Sequence, residues 1–459
     1  MTQLITRRSF LAGCAAAAAA LAAAPLQSRL GNLAFADPMA GSAYVPEVLV
    51  IVFLRGGWDA LNVVVPLSGA DRGYYEQDRP NIKVPLTGTN AAISLDGQFG
   101  LHPAMAPLLA LYQAKKLAIV QGTGLQVDTR SHFDAQMFMD LGTPGVKTTP
   151  DGWLTRLLRT WPALPASLLI PALSAGGTQA LSLEGLSNAV AMDTPSSFTL
   201  NGYWKYELEQ RAVLRDLYND TSWLGQAGTE TLNMVDLIEA ANPGTYTPAN
   251  GAVYPADSFG DNLKTIAQIM KMKLGLRVAT VDIGGWDTHQ YEGDNGTGYL
   301  ADSLLKPLAQ GLAGFYTDLT GGCGANFHQH TTIVVMSEFG RRLKENANHG
   351  TDHGHGNLQL VLGGSVKGGK LYGTWPGLRN DQLYDGADLA VTTDFRQVLT
   401  DIVTARLGDF QLNTVFPGYT GFSPLGLVEP LFTQPLPLLP GQDKHTFFPQ
   451  LSKPDVTCP

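Results

Sequence analysis

The tetrapeptide Gly-Gly-Trp-Asp occurs twice in the chain, each time directly after an apolar run. The first copy ends at Asp59, the second ends at Asp287, and His289 lies two positions further on. Ligands of an open parallel sheet bind beyond the carboxyl ends of its strands, and paired glycines permit the tight or left-handed backbone that turns an aspartate towards that crevice. We interpret Asp59, Asp287 and His289 as candidate ligands of a divalent ion. The alternative is that each aspartate caps a helix.

A candidate nucleophile lies in the segment Thr-Arg-Ser-His-Phe at 129–133, which opens a predicted helix. Ser131 would lie at the helix N-terminus, where the helix dipole stabilises an alkoxide and a bound anion. Arg130 could bind an anionic group through two parallel hydrogen bonds. The predicted catalytic set is therefore Ser131, Arg130 and His132. The alternative role of Ser131 is that of an ordinary helix N-cap.

Further candidate ligands follow the apolar run at 331–336, in the sequence SEFGRRLKENANHGTDHGHGN. Glu338 comes directly after the run, and the glycine-rich loop holds Asp352, His353 and His355. These groups cannot be buried without partners, so metal coordination explains them better than a solvated polar loop does. The histidines support this interpretation, because five of the nine lie beside the three motifs: His132, His289, His349, His353 and His355.

The elements that would position these residues are strands alternating with helices. Apolar, β-branched runs predict strands, and their continuous rather than alternating pattern is typical of strands covered on both faces. The alternation with helical stretches predicts an α/β fold whose mostly parallel, doubly wound sheet has helices on both faces. The predicted strands are 48–54, 117–122, 276–283, 331–336 and 358–364.

The chain divides into a leader, one domain and a tail. Thr-Arg-Arg-Ser-Phe-Leu at 6–11, an alanine-rich run and Ala-Phe-Ala at 34–36 predict a twin-arginine signal peptide over 1–36. A single α/β domain is predicted for 37–425, with a helical cap insertion at 185–260 and a Pro-rich tail at 426–459. We therefore expect export by the twin-arginine translocase to the periplasm or the outside of the cell.

Composition excludes several classes of function. The net charge of -9 over 459 residues argues against nucleic acid, whose phosphates would be repelled. After the signal peptide, no stretch approaches the roughly 18 apolar residues of a membrane helix, so we expect no membrane span in the mature form. The two mature cysteines, Cys323 and Cys458, exclude a thiolate zinc site and are compatible with either a disulfide or two thiols.

Six motifs in order carry a family resemblance: LRGGWDALN, RSHFDAQMFMDLG, GGWDTH, SEFGR, GTDHGHGN and DLAVTTDFRQVL. With them, residues 48–408 resemble an exported bacterial family catalogued as domain of unknown function 1501. That family is similar to the alkaline phosphatase and sulfatase superfamily. The similarity implies an alkaline-phosphatase-like α/β fold and a site for two metals, commonly zinc, magnesium, manganese or calcium.

The resemblance also implies roles for individual residues. Asp59 matches the superfamily's first metal-binding Asp, and Ser131 its nucleophile. Asp287 and His289 match an Asp and a His that share one loop.

The superfamily's Asp-His pair has two possible counterparts here. In one alignment Glu338 replaces the Asp and Phe339 the His, which leaves His353 or His355 as the distant His ligand. In the other, Asp352 and His353 form the pair on a longer loop.

These features together predict a metal-dependent hydrolase of phosphate or sulfate esters, with one or two divalent metals, a small anionic ester as substrate and a serine nucleophile. The alternative is a non-catalytic or single-metal protein that keeps the fold and binds or assembles an exported polymer or partner. The replacement of the Asp-His pair by Glu338 and Phe339 favours the alternative, whereas the histidine-rich loop and Ser131 favour the enzyme.

Overall fold

A computed structural model of the protein describes residues 46–161, 164, 168–240, 243–320 and 326–432. The predicted signal peptide at 1–36, Cys323, Cys458 and most of the predicted tail at 426–459 lie outside the described residues. Within the described residues, no helix combines the length and the apolar character needed to cross a membrane.

The described strands and helices alternate along much of the chain. The strands are β1 Val48–Leu54, β2 Val64–Pro66, β3 Ile93–Ser94, β4 Phe99–Leu101, β5 Leu117–Gly124, β6 Ala172–Ala175, β7 Ala189–Met192, β8 Val278–Ile283, β9 Thr331–Met336, β10 Arg341–Glu345, β11 Thr351–His353, β12 Asn357–Gly363, β13 Leu371–Tyr372 and β14 Thr393–Asp394. The α-helices are α1 Ala60–Val63, α2 Gly69–Asp78, α3 Leu109–Gln113, α4 His132–Leu141, α5 Trp153–Thr160, α6 Glu207–Leu217, α7 Trp223–Ala240, α8 Ser258–Lys271, α9 Lys306–Asp318, α10 Phe395–Leu407 and α11 Leu412–Val415.

The central sheet is large and mostly parallel. Its order is β13-β5-β12-β9-β1-β8-β6-β7, and β14 also pairs with β5. Strand β1 lies between β8 and β9, runs parallel to both and is buried along its whole length, as expected for a strand covered on both faces. All five strands predicted from the sequence are present, as β1, β5, β8, β9 and β12.

Strand β12 is an exception to the parallel arrangement. It runs antiparallel to both β5 and β9. A parallel neighbour would need a crossover connection, usually a helix, to return the chain to the other end of the sheet. The chain between β9 and β12 instead forms the β10–β11 hairpin, so β12 starts from the end at which β9 finishes.

Strands β6 and β7 were not predicted, because they are short and rich in alanine, with the sequences ALSA and AVAM. Strand β7 lies within residues 185–260 and belongs to the central sheet. The described residues divide into two compact units, one formed by Pro195–Tyr246 and the other by the rest. The smaller unit contains α6 and α7, and its action as a cap stays a prediction.

Helices α4 and α10 contribute to the main hydrophobic core, and both have clear end signals. Ser131 caps the start of α4, and Gly142, with φ 66°, ends it in the left-handed conformation. Asp394 and Gly408 do the same for α10. These caps place His132 in the first turn of α4, near the carboxyl ends of the parallel strands.

Candidate metal centre

The two Gly-Gly-Trp-Asp turns lie against each other because the strands before them, β1 and β8, are adjacent and parallel. Gly56 has φ 128°, and a Cβ atom there would lie 2.6 Å from the backbone N of Asp287. Only glycine permits this approach. The rings of Trp58 and Trp286 pack edge to face beneath the turns at 5.8 Å, and both are fully buried.

Arg341 joins the two turns through its buried guanidinium group. Its Nε donates to the carbonyl oxygen of Gly57 at 2.6 Å. Its Nη2 donates to the carbonyl oxygen of Gly56, to that of Trp286 at 3.1 Å and to Asp287 Oδ1 at 2.6 Å. Although burial raises the pKa of Asp287, the hydrogen bond and the positive charge of Arg341 hold it well below its usual range. Arg341 therefore keeps the Asp287 carboxylate ionised and oriented.

Three imidazole nitrogens converge on this carboxylate. Asp287 Oδ1 lies 3.0 Å from His353 Nε2, 3.1 Å from His289 Nε2 and 3.3 Å from His132 Nε2. His353 Nε2 lies 2.9 Å from the Nε2 atoms of both His132 and His289. The ligand atoms of His132, Asp287 and His353 all lie within 4.8 Å of one another. We call His132, Asp287, His289 and His353 the His-Asp cluster.

The second nitrogen of each imidazole contacts a hydrogen-bond acceptor. His353 Nδ1 donates to the carbonyl oxygen of Arg130 at 2.8 Å, an atom that can only accept. His132 Nδ1 lies 2.7 Å from Glu338 Oε1. The hydrogen bond that His132 donates to Glu338 raises the pKa of His132, whereas burial lowers the pKa of His353.

The Nδ1 atom of His289 also contacts an acceptor, since it lies 3.1 Å from Asp352 Oδ1. Each neutral imidazole thus carries its hydrogen on Nδ1, and the three Nε2 lone pairs face one another and Asp287 Oδ1. Such a group of acceptors repels itself unless a cation or a proton lies among them.

The cluster has the donors and spacing of a metal site. Separations near 3 Å are those expected between neighbouring ligands of an ion whose bonds are about 2.0–2.2 Å long. Imidazole nitrogen with one carboxylate suits zinc, iron, nickel or copper better than magnesium or calcium, which prefer oxygen donors. The carboxylate–imidazole contacts of Glu338 and Asp352 are the supporting interactions typical of metal-binding histidines.

Glu338 is buried and contacts the cluster through His132 Nδ1, the nitrogen that faces away from Asp287. Besides His132, it accepts hydrogen bonds from the backbone N of Gly56 and from Gln136 Nε2, both at 2.8 Å. Its other oxygen accepts from Ser337 Oγ at 3.0 Å. Although burial raises the pKa of Glu338, these bonds hold it below its usual value. Glu338 therefore orients His132 and fixes the first glycine turn.

Residues 205–406 match the family model described as Protein of unknown function (DUF1501). The match supports the family resemblance over that stretch. The comparison with curated proteins gives no match. The stretch that matches DUF1501 contains Asp287, His289 and His353 of the cluster, whereas His132 lies before it.

Two of the predicted metal ligands lie elsewhere. Asp59 is fully buried, and Arg79 binds both of its carboxylate oxygens, one of them at 2.9 Å. Although burial raises the pKa of Asp59, the charge and the hydrogen bonds of Arg79 outweigh this effect and hold the pKa below its usual value. His355 is stacked on the ring of Tyr384, with the ring centres 4.1 Å apart. The structure does not bring Asp59 or His355 into the cluster.

The predicted catalytic residues surround the first turn of α4. Ser131 is exposed, and its Oγ accepts a hydrogen bond from the backbone N of Asp134 at 3.4 Å, which is its N-cap interaction. The guanidinium of Arg130 donates to Asp388 Oδ2 at 2.7 Å. His132, predicted as catalytic, has its Nε2 within 4.8 Å of the candidate ligand atoms of Asp287 and His353.

Sequence reasoning did not find Arg341 or Gln136. Gln136 had a usable signal, because it lies four residues after His132 and so on the same face of α4. Arg341 had no comparable signal, since four of its five acceptors come from two turns that are distant in sequence.

Proposed function

We propose that the protein is a metal-dependent hydrolase of phosphate or sulfate esters with an alkaline-phosphatase-like fold. The observation that carries the proposal is the convergence of three imidazole Nε2 atoms and one carboxylate oxygen at the carboxyl ends of the parallel strands. Open α/β sheets bind their ligands beyond the carboxyl ends of their strands. The parallel sheet and the match to DUF1501 are consistent with the proposal.

The chain's own residues would hold and orient the ion. His132, His289, His353 and Asp287 would supply the ligands. A bound ion of this kind polarises an ester oxygen and makes water a better nucleophile. Arg341 keeps the Asp287 carboxylate in place, and the hydrogen bond from His353 to the Arg130 carbonyl fixes the tautomer of that imidazole.

Ser131 is the proposed nucleophile, because it is exposed at the N-terminus of a ten-residue helix and directly precedes His132. Its Oγ would attack phosphorus or sulfur as the bond to the ester oxygen breaks, and the hydroxyl proton would pass to the departing alcohol. Water would then hydrolyse the serine ester, which restores the serine hydroxyl and releases phosphate or sulfate. The helix N-terminus favours an anion at this position. Arg130, partly exposed beside it, would add positive charge.

A second candidate is a binding or assembly protein that acts without turnover. The observation in its favour is that the His-Asp cluster also forms a closed hydrogen-bond network. Arg341 Nη2 neutralises Asp287, and one proton between His132 and His353 would satisfy their Nε2 contact. In this case the cluster would stabilise the two glycine turns rather than bind an ion.

Elemental analysis of the exported protein separates the two candidates. We expect near-stoichiometric zinc or another transition metal in the wild type and its loss in Asp287→Ala/His353→Ala. His349→Asn is the matched control, because His349 lies in the same loop, is exposed and has φ 54°, which asparagine tolerates. Absence of metal from freshly exported wild type would contradict the hydrolase.

Activity then tests the nucleophile. We expect the metal-loaded protein to hydrolyse p-nitrophenyl phosphate or p-nitrophenyl sulfate, and Ser131→Ala to reduce kcat by about a thousandfold or more while keeping its metal. Equal activity in Ser131→Ala would leave the ion in place but remove the serine from the mechanism.

A further inference from the structure

An open depression lies beside the His-Asp cluster and shares one residue with it. Its volume is about 420 Å³, and it is lined by Gly285, Asp287, Thr288, Gln290, Tyr291 and Tyr299. Tyr291 is 77% exposed and Tyr299 44% exposed, so both aromatic side chains are available to a ligand. Since Asp287 belongs to both features, a ligand in the depression would lie next to the cluster.

The backbone at Tyr291 is strained. Its φ of 52° is in the left-handed region, which a bulky side chain rarely adopts. Two hydrogen bonds hold it there: Tyr291 N donates to the carbonyl oxygen of Asn348 at 2.9 Å, and Glu292 N donates to that of His349 at 2.8 Å. Strain that leaves an aromatic ring in solvent is unfavourable for folding alone and is common at ligand sites.

Tyr299 has an unusual backbone next to it as well. It directly precedes the π-helical turn Leu300–Leu305, an irregularity that is frequent at functional sites. A Cβ atom on Gly285, which has φ 94°, would lie 2.9 Å from the Tyr299 hydroxyl oxygen. The second glycine turn therefore makes room for Tyr299 as well as placing Asp287.

We infer that this depression binds a pyranose ring of a saccharide. Such a ring has a face of C–H groups, which packs on an aromatic side chain, and a rim of hydroxyls, which needs polar partners. The depression offers both, with Tyr291 and Tyr299 as aromatic surfaces and Gln290 and Asp287 as polar groups. An apolar ligand would instead require enclosing apolar walls.

The saccharide would present its ester to the neighbouring cluster. This assignment of a saccharide ester as the substrate rests on the proposed function, because the ester chemistry needs the ion. Saccharide binding itself needs only the depression. The two can therefore fail separately, and the experiment is designed to show which one does.

The test is calorimetric titration of the protein with cellohexaose, maltohexaose and chitohexaose, with and without prior removal of metal by a chelator. We expect at least one hexasaccharide to bind with Kd of about 1 mM or tighter in both states. Tyr291→Ala should weaken that binding about tenfold or more, whereas Tyr291→Phe, which keeps the ring, should not. The matched control is Tyr203→Ala, because Tyr203 is 62% exposed and does not line the depression.

Two results would overturn the inference: no binding of any of the three at about 10 mM, or wild-type binding in both Tyr291→Ala and Tyr299→Ala. Metal content and circular dichroism of the variants confirm that they are folded. Saccharide binding that persists in a metal-free His132→Ala/His353→Ala variant supports the inference. If the wild type binds the saccharide but hydrolyses no ester, the inference stands and the proposed function fails.

Discussion

At the scale of single residues, the tautomers decide what the His-Asp cluster can do. The Arg130 carbonyl oxygen and the carboxylates of Glu338 and Asp352 each occupy one Nδ1 atom. Each neutral imidazole then has its lone pair on Nε2. A cation is the partner that satisfies several lone pairs at once, so the supporting residues should control metal affinity.

Removal of one supporting carboxylate should weaken metal binding without unfolding the protein. We predict that Asp352→Ala lowers the affinity for the bound metal by about 10–100-fold, because His289 loses the partner of its Nδ1 atom. Competition with a chromophoric chelator measures this change. Asp381→Ala serves as the control, since Asp381 pairs with Arg379 outside the cluster. Equal affinities for the two variants would contradict the assignment of Asp352.

Metal affinity should also depend on pH. The hydrogen bond that His132 donates to Glu338 raises the pKa of His132, so this imidazole stays protonated up to a higher pH than an ordinary histidine. Binding must displace that proton, and log K should therefore fall by about one per pH unit below the pKa of His132. In Glu338→Gln the fall should begin at a lower pH. Chelator competition from about pH 5 to 8 tests this, and curves with the same midpoint would refute the role given to Glu338.

At the scale of elements, neighbouring strands that end together bring the motifs to one place. Strands β8 and β9 both pair with β1 in parallel, so the two glycine turns and Glu338 lie together at the carboxyl ends of these strands. The β10–β11 hairpin supplies His353, and the first turn of α4 supplies His132. The closeness of the two turns is the condition on which the whole site depends.

Gly56→Ala should disrupt the close approach of the two glycine turns. The new Cβ would lie 2.6 Å from the backbone N of Asp287, and backbone atoms cannot move aside as a flexible side chain does. We predict a loss of about 3 kcal/mol or more in the free energy of unfolding, measured by urea denaturation. Gly69→Ala is the matched control, because Gly69 has φ 73° but no atom within 4 Å of its Cβ position, and it should lose only about 1 kcal/mol. Similar losses at both positions would show that strain in φ alone accounts for Gly56.

His102 should make the protein sensitive to acid. It caps the Pro103–Leu108 3-10 helix, its Nδ1 accepts from Ala104 N at 3.0 Å, and burial lowers its pKa to about 4. The unfolded chain, with a histidine pKa near 6.5, binds the proton first, so stability should fall as the pH drops from about 6.5 to 4, by up to about 1.4 kcal/mol per pH unit.

The variant His102→Asn keeps an acceptor for Ala104 N but does not titrate. Its free energy of unfolding should therefore depend less on pH over this interval than that of the wild type. Parallel pH profiles for the wild type and His102→Asn would contradict the prediction.

At the scale of the whole molecule, every residue of the His-Asp cluster belongs to the larger of the two compact units. The smaller unit, Pro195–Tyr246, exposes several large apolar side chains, among them Tyr203, Trp204 and Leu208. The cluster residues and the residues that orient them, Arg130, Glu338, Arg341 and Asp352, do not include any residue of this unit.

Replacement of residues 195–246 by a Gly-Ser linker of about ten residues should leave the metal content unchanged. If the smaller unit acts as a cap, the same deletion should raise the rate on large esters more than on p-nitrophenyl esters. Elemental analysis and paired rate measurements give the two results. A folded deletion variant without metal would show that the larger unit alone does not make the site.

The sequence by itself determined five of the nine strands of the central sheet and most of the cluster. Long apolar runs specify buried strands, and Asp287, His289 and His353 could be predicted because each lies in a motif after such a run. The tertiary structure decided the rest, since neither pairing nor register is encoded locally. It paired Asp59 with Arg79, brought His132 together with Asp287 and His353, and placed Arg341 between two turns that are far apart in the chain. A side chain's role depends on which groups lie within about 3 Å of it, and that proximity arises only when distant strands pack.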